Sequence, residues 1–404
     1  MMFGLLSLIN APVAHGWTNQ FCAVAGHHST FSYTDQSYGN VWTTAGERPL
    51  RGVYMQVLNN DVVAWQGYAS TNTGCTPLLS MNSGTFRLKV WSKGIPSSNN
   101  LLEVRDYSGS SPVLELYQVA GLVSASWTYR ADPFVTGYLV WKIYAAAAET
   151  IYQEPHPDAP TFMFYYEPAN ESASTKIEFG ETVTHIGPTV SREKFTISHE
   201  LGHQYLMQRT NNFYSNSDYG QYQCTTSSCP VACESSPAAN CYHKLTSKEN
   251  MTAAVDEAWG YFISALTWSS GTSCQMANKV GTGYEAVDCD SGTTSYPTGY
   301  LAGTCESCGT TWGDPDCESA GVELDWIRVF WNTNRPCSNH GSISNWLDVL
   351  DAVSFFDLHG CNTYQQINMV MTGEPMEGCW DSQVVTQRVR FDYGAPSCEP
   401  LCGL

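Results

Sequence analysis

In Ser198-His199-Glu200-Leu201-Gly202-His203-Gln204 two imidazoles stand four residues apart with a carboxylate between them. On an α-helix that spacing points both histidines the same way, and Glu200 is turned roughly 100° from His199, at the edge of their face. Imidazole nitrogens one turn apart make a pair of zinc ligands, and a carboxylate beside them can take a proton from water. The surrounding residues predict a helix. Phe195, His199, His203 and Leu206 recur at helical spacing, Ser191-Arg192-Glu193 opens the run, and Glu193 in the first turn suits the helix dipole. A catalytic zinc needs a third protein ligand and keeps one position for water.

The next long helical pattern offers that ligand. Thr246-Ser247-Lys248-Glu249 has the form of a capping box, and the stretch from Asn250 to Leu266 is mostly apolar. Asp256 and Glu257 sit in its middle, where an acid needs a reason to be buried.

Together the two motifs resemble the gluzincin class of zinc metallopeptidases, in which an H-E-x-x-H helix is followed by a helix carrying a glutamate ligand. The resemblance runs over roughly Thr161 to Val353 and rests on His199-Glu200-Leu201-Gly202-His203 and Asp256-Glu257-Ala258-Trp259-Gly260-Tyr261-Phe262. It implies one catalytic Zn2+ held by His199, His203 and Glu257, with Glu200 as general base in the hydrolysis of peptide bonds. In this chain 53 residues lie between His203 and Glu257, more than in many gluzincins. The extra length carries Cys224, Cys229, Cys233 and Cys241 amid Ser, Asn and Pro, and reads as a disulfide-stapled surface excursion. Asp256 is the alternative third ligand if the helix is turned by one position. The metzincin extension is absent, since Leu206 and Arg209 stand where that class has glycine and histidine. Tyr261, His243, His340 and His359 are candidates for stabilising the developing oxyanion.

The elements that must position these groups give an α+β reading in two domains: an antiparallel β-sandwich over 16–118, then a zincin-like domain over 119–404 with disulfide-rich insertions and a helical C-terminal lobe. In the first, Val53, Met55 and Val57 alternate, as do Phe86, Leu88 and Val90, then Leu102 and Val104, with turns at Asn59-Asn60-Asp61 and Thr73-Gly74. The runs from Arg51, Gly67 and Gly84 resemble transthyretin-like or carboxypeptidase-regulatory-like sandwiches, which implies an accessory, mainly structural domain. In the second, Thr136 to Thr150 reads as a helix, and Thr161 to Tyr166, Thr175 to Phe179 and Thr184 to Ile186 as strands. The strand near His185 is expected at a sheet edge, where an extended peptide could pair. Ser273 to Ser319 reads as stapled loop, and helices are expected from Gly321 and from Ser342.

Composition points outside the cell. Sixteen cysteines in 404 residues suit an oxidising compartment, and Cys22 and Cys75, alone in the first half, are expected to pair. Residues 1–15, with Phe3 to Ile9 apolar and Ala11 to Ala14 small, resemble the later part of a secretory signal peptide. A formal net charge of −19 with only 14% charged residues argues against nucleic-acid partners, and no apolar run is long enough to span a membrane. The expected function is that of a secreted zinc metallopeptidase acting on peptide or protein substrates. The alternative is an extracellular binding protein that uses the sandwich while its zincin lobe is inactive.

Overall fold

The computed structural model describes residues 17–26, 47–82, 84–106, 112–119, 126–130, 138–158, 160–170, 172–188, 194–210, 248–268, 275–280, 283–288, 320–322, 326–327 and 330–331. Strands β1 (Trp17–Gly26), β2 (Glu47–Pro49), β3 (Val53–Asn59), β4 (Val62–Tyr68), β5 (Leu79–Met81), β6 (Phe86–Gly94), β7 (Leu101–Asp106), β8 (Leu114–Val119) and β9 (Ser126–Arg130) precede helix α1 (Tyr138–Gln153). Strands β10 (Thr161–Tyr166), β11 (Ala173–Glu178) and β12 (Glu181–Ile186) lead into α2 (Lys194–Arg209). After β13 (Lys248–Asn250) come α3 (Met251–Trp268), β14 (Gln275–Val280), β15 (Gly283–Asp288) and β16 (Ala320–Val322). The fold is mixed α+β, and among the described residues no helix is long and apolar enough to cross a membrane.

The strands follow from alternation. Along β6, Phe86, Leu88 and Val90 are buried while Arg87, Lys89 and Trp91 between them are only partly so, and Val53, Met55 and Val57 of β3 and Leu102 and Val104 of β7 are buried likewise. Asn60 and Asp61 join β3 to β4 with φ of 49° and 63°, a left-handed pair that these residue types tolerate.

An eight-stranded sheet runs β11-β12-β10-β7-β6-β3-β4, with β8 also paired to β6. Strand β10 is parallel to β7 and to β12, and the remaining pairs are antiparallel. In a smaller sheet β1 pairs with β2 and β5 antiparallel and with β9 parallel. Phe21 of β1 meets Phe86 of β6 with ring centroids 5.6 Å apart, so the two sheets share a core. The Cys22–Cys75 disulfide ties β1 to the loop before β5, as expected.

The large sheet does not stop after residue 118. Leu102 and Val104 of β7 stand in register with Phe162 and Phe164 of β10, and all four side chains are fully buried, so the strands on either side of the expected boundary form one surface. Helix α1 is joined to the N-terminal strands by a buried fork. Arg51 Nε donates to Glu149 Oε2 at 2.6 Å and Nη2 to Oε1 at 3.1 Å, while its guanidinium lies 3.7 Å from the centre of the Tyr152 ring.

Four expectations are corrected. His185 is on β12, an interior strand, because the turn at Phe179-Gly180 folds β11 back over it and makes β11 the edge. Lys248–Asn250 is not the first turn of a helix but strand β13, held by pairing with β16, so no capping box starts α3. The same pairing takes Gly321 and Val322 into a strand, and the buried helical residues begin at Trp326. Within the expected loop region, β14 and β15 form an antiparallel hairpin from Gln275↔Asp288 to Val280↔Gly283. The segments 1–15 and 342–353, Glu193, the insert cysteines, His243, His340 and His359 lie outside the described residues.

Candidate metal centre

Helix α2 is buried almost all round, which its sequence permits because its polar residues find partners on each side. Toward α1, Ser198 Oγ lies 2.7 Å from Thr150 Oγ1, and the Tyr205 hydroxyl donates to the Glu154 carbonyl at 2.6 Å. Toward the sheet, Gln204 Nε2 donates to the Met163 carbonyl and to Thr184 Oγ1, at 3.1 and 2.7 Å. The third side meets α3 through two glycines. A Cβ on Gly202 would lie 2.7 Å from Gly260 Cα, and a Cβ on Gly260 would lie 2.7 Å from His199 Nδ1, so only a glycine pair lets the helices approach this closely. Glu257 is one turn before Gly260, and the crossing carries it to the histidines.

The four expected site residues are brought together and buried. His199 Nε2 is 3.0 Å from His203 Nε2 and 3.1 Å from Glu257 Oε2, and His203 Nε2 is 3.7 Å from the same oxygen. Ligand atoms of His199, His203 and Glu257 all lie within 4.8 Å of one another. Two imidazole nitrogens and a carboxylate oxygen converging on one buried point form a donor set that fits zinc.

Asp256 has a different part. Its Oδ1 lies 2.8 Å from Nδ1 of His203 and its side chain is fully buried, so it grips the ring nitrogen that faces away from the convergence point. Neighbouring acids on one helix thus meet the two ends of the same ring, and Glu257, not Asp256, is the acid whose oxygen lies with the two Nε2 atoms. Burial disfavours charge on the His203 ring, but Asp256 and Glu257 outweigh it and raise its pKa to about 10. A cation at the convergence point would satisfy those carboxylates in place of that proton. His199 has no such anchor: its buried Nδ1 has no hydrogen-bond partner, and the ring is held between Gly260 and Tyr261, whose ring centroid is 4.3 Å away.

Glu200 faces the edge strand, where Thr175 Oγ1 lies 2.7 Å from its Oε2. Thr175 Oγ1 is also 2.7 Å from Thr184 Oγ1, which accepts from Gln204. With Gln204 donating to Thr184 and Thr184 to Thr175, the one proton left on Thr175 points to Glu200. Burial raises the Glu200 carboxyl above its ordinary range, against the opposing pull of His203, His199 and the Thr175 hydrogen bond.

Comparison with protein-family models and with curated proteins finds no match. Sequence reasoning missed Thr175, Thr184 and Gln204. Thr175 is a polar residue on a half-exposed strand, Thr184 one on a buried strand and Gln204 one on a buried helix, which locally signals nothing, and their partnership spans 20 to 25 residues of chain. The Asp256 role was within reach, since an acid adjacent to a ligand glutamate lies about 100° around the helix from it.

Proposed function

We propose that this chain is a secreted, zinc-dependent peptidase in which His199, His203 and Glu257 hold the metal and Glu200 is the general base. In this reading α2 and α3 with β10 to β12 form a zincin-like lobe, and the N-terminal strands serve it as a scaffold. The convergence of His199 Nε2, His203 Nε2 and Glu257 Oε2 beside Glu200 carries the reading. A zinc ion held there supplies Lewis acidity, lowering the pKa of water toward about 7 and polarising a carbonyl. Glu200 takes the proton of the attacking water and delivers it to the departing amine. Thr175 fixes Glu200 Oε2, which leaves Oε1 to carry that proton. Asp256 keeps the His203 ring in the tautomer whose Nε2 is a ligand. Tyr261, against His199, is the described candidate for an oxyanion donor.

The test is metal content of the purified full-length protein together with casein hydrolysis before and after chelation. One zinc per chain and cleavage that chelator removes and zinc restores are expected. Folded protein that binds no zinc and cleaves nothing would overturn the peptidase in favour of an extracellular binding protein.

A further inference from the structure

The β11–β12 hairpin turns through two residues, Phe179 and Gly180, between the paired Glu178 and Glu181. Both are left-handed, with φ of 53° and 85°, the geometry of a type I′ turn. Gly180 suits its place, but the first position favours Asn, Asp or Gly, and a phenylalanine there is strained by its Cβ. Folding gives nothing back for that strain, since Phe179 is 106% exposed, the most exposed large apolar side chain among the described residues. A strained backbone and a fully solvated aromatic ring are independent oddities at one residue; a partner outside the chain would cover the ring, and the contact would offset the cost of the strain.

The surroundings say what kind of partner. Gly180 and Glu181 line a half-open cavity of about 360 Å³ between the hairpin tip and the end of α2. Its apolar wall is made by Met163 and Met207, both almost fully buried, and neither the three convergent residues nor Glu200 lines it. Met side chains adapt to varied apolar shapes. Of the charges nearby, Lys176 pairs with Glu178 and Arg209 with Asp158, whereas Glu181 is exposed and has no ion pair among the described residues. A chain of net charge −19 with an exposed carboxylate at the rim of a mixed cavity, in which Met163 and Met207 form an apolar patch among polar residues, is complementary to a cationic segment, and its acids disfavour an anionic lipid surface.

We propose that the Phe179 tip and this cavity form a docking site for an extended polypeptide bearing apolar or aromatic side chains next to Lys or Arg, separate from the metal centre. Phe179 supplies the aromatic contact, the cavity takes an apolar side chain, and Glu181 selects the cation. On the peptidase reading this site would hold a protein substrate by a segment other than the one that is cleaved.

The test measures binding, so that it does not depend on turnover. Full-length Glu200→Gln protein is titrated by fluorescence anisotropy with an unstructured, labelled peptide of Gly, Ser, Lys and Phe, and with its counterpart in which Glu replaces Lys. The Lys–Phe probe should bind more tightly than the Glu–Phe probe. Phe179→Asn should weaken it about tenfold, the loss of one anchoring aromatic, while the melting temperature stays level or rises because Asn suits the turn. Glu181→Gln should remove the preference for Lys over Glu. Equal affinity for the two probes, an unchanged affinity in Phe179→Asn, or a fall in its melting temperature would each overturn the proposal. So would Phe179-dependent association with phosphatidylcholine vesicles in place of the peptide. If the chain cleaves casein by a chelator-sensitive route yet fails these tests, the docking site alone is wrong; if it binds as expected and cleaves nothing, only the peptidase reading falls.

Discussion

Within the site, adjacent residues are asked to do different things, and their variants separate them. Glu200→Gln keeps shape and removes the base, so zinc content should be retained while turnover falls by about 10²- to 10⁴-fold. Glu257→Ala removes a ligand, and zinc occupancy measured after dialysis should fall with activity. Asp256→Asn leaves the ligand atoms in place but weakens the hold on His203 Nδ1, so zinc affinity should drop by about 10- to 100-fold in a chelator competition assay. If Asp256→Asn lost all metal while Glu257→Ala kept it, the two roles would be exchanged. Thr175→Val should lower kcat about tenfold with little change in KM, and Thr175→Ser should restore it, as expected of a hydroxyl that orients the base. His199, Glu200 and His203 were legible as a cluster because helical spacing brings them together locally, whereas Glu257, on another helix, was reached only through the resemblance of its motif to the second gluzincin helix. Thr175 was not, because the strand that presents it is 25 residues from Glu200 and its place beside the base exists only after β11 folds over β12.

At the level of elements, the centre depends on how closely α2 and α3 cross. Gly260→Ala would drive a methyl group against the His199 ring and its carbonyl, at 2.7 and 2.9 Å. Relief requires the helices to part, so the variant should lose about 1–3 kcal/mol of stability in denaturant unfolding and bind zinc more weakly. Retention of both would mean that the crossing has slack. The helices were readable because their apolar periodicity spans several turns, and α1, α2 and α3 lie where it places them. Short strands were readable where they alternate cleanly, as β3, β6 and β7 do, or form one apolar run, as β10 does. β13 and β16 have three residues each, and nothing in Lys248–Asn250 announces that Ala320–Val322 will pair with it. The same holds for the position of β12: alternation marks a strand but not its neighbours, which the Phe179-Gly180 turn decides.

Among the described residues, the N-terminal strands and the helical layer share one hydrophobic core and one sheet. Glu149→Ala would leave Arg51 charged, buried and without its carboxylate fork, and should cost about 3–5 kcal/mol in unfolding experiments. A loss near zero would mean that Thr71 and Tyr152 alone suffice for the guanidinium. That β10 would pair with β7 was not readable, because a strand's pattern looks the same whether its neighbour is next in sequence or far along it. That pairing also dictates the order of events during synthesis. When β7 leaves the ribosome its partner β10 has not been made, and neither has β9, the parallel neighbour of β1. Until translation has passed Tyr166, β7 presents an unpaired backbone edge beside the apolar Leu102 and Val104, of the kind that seeds aggregation. A polypeptide released at residue 118 should collect in the insoluble fraction, whereas the full chain should not.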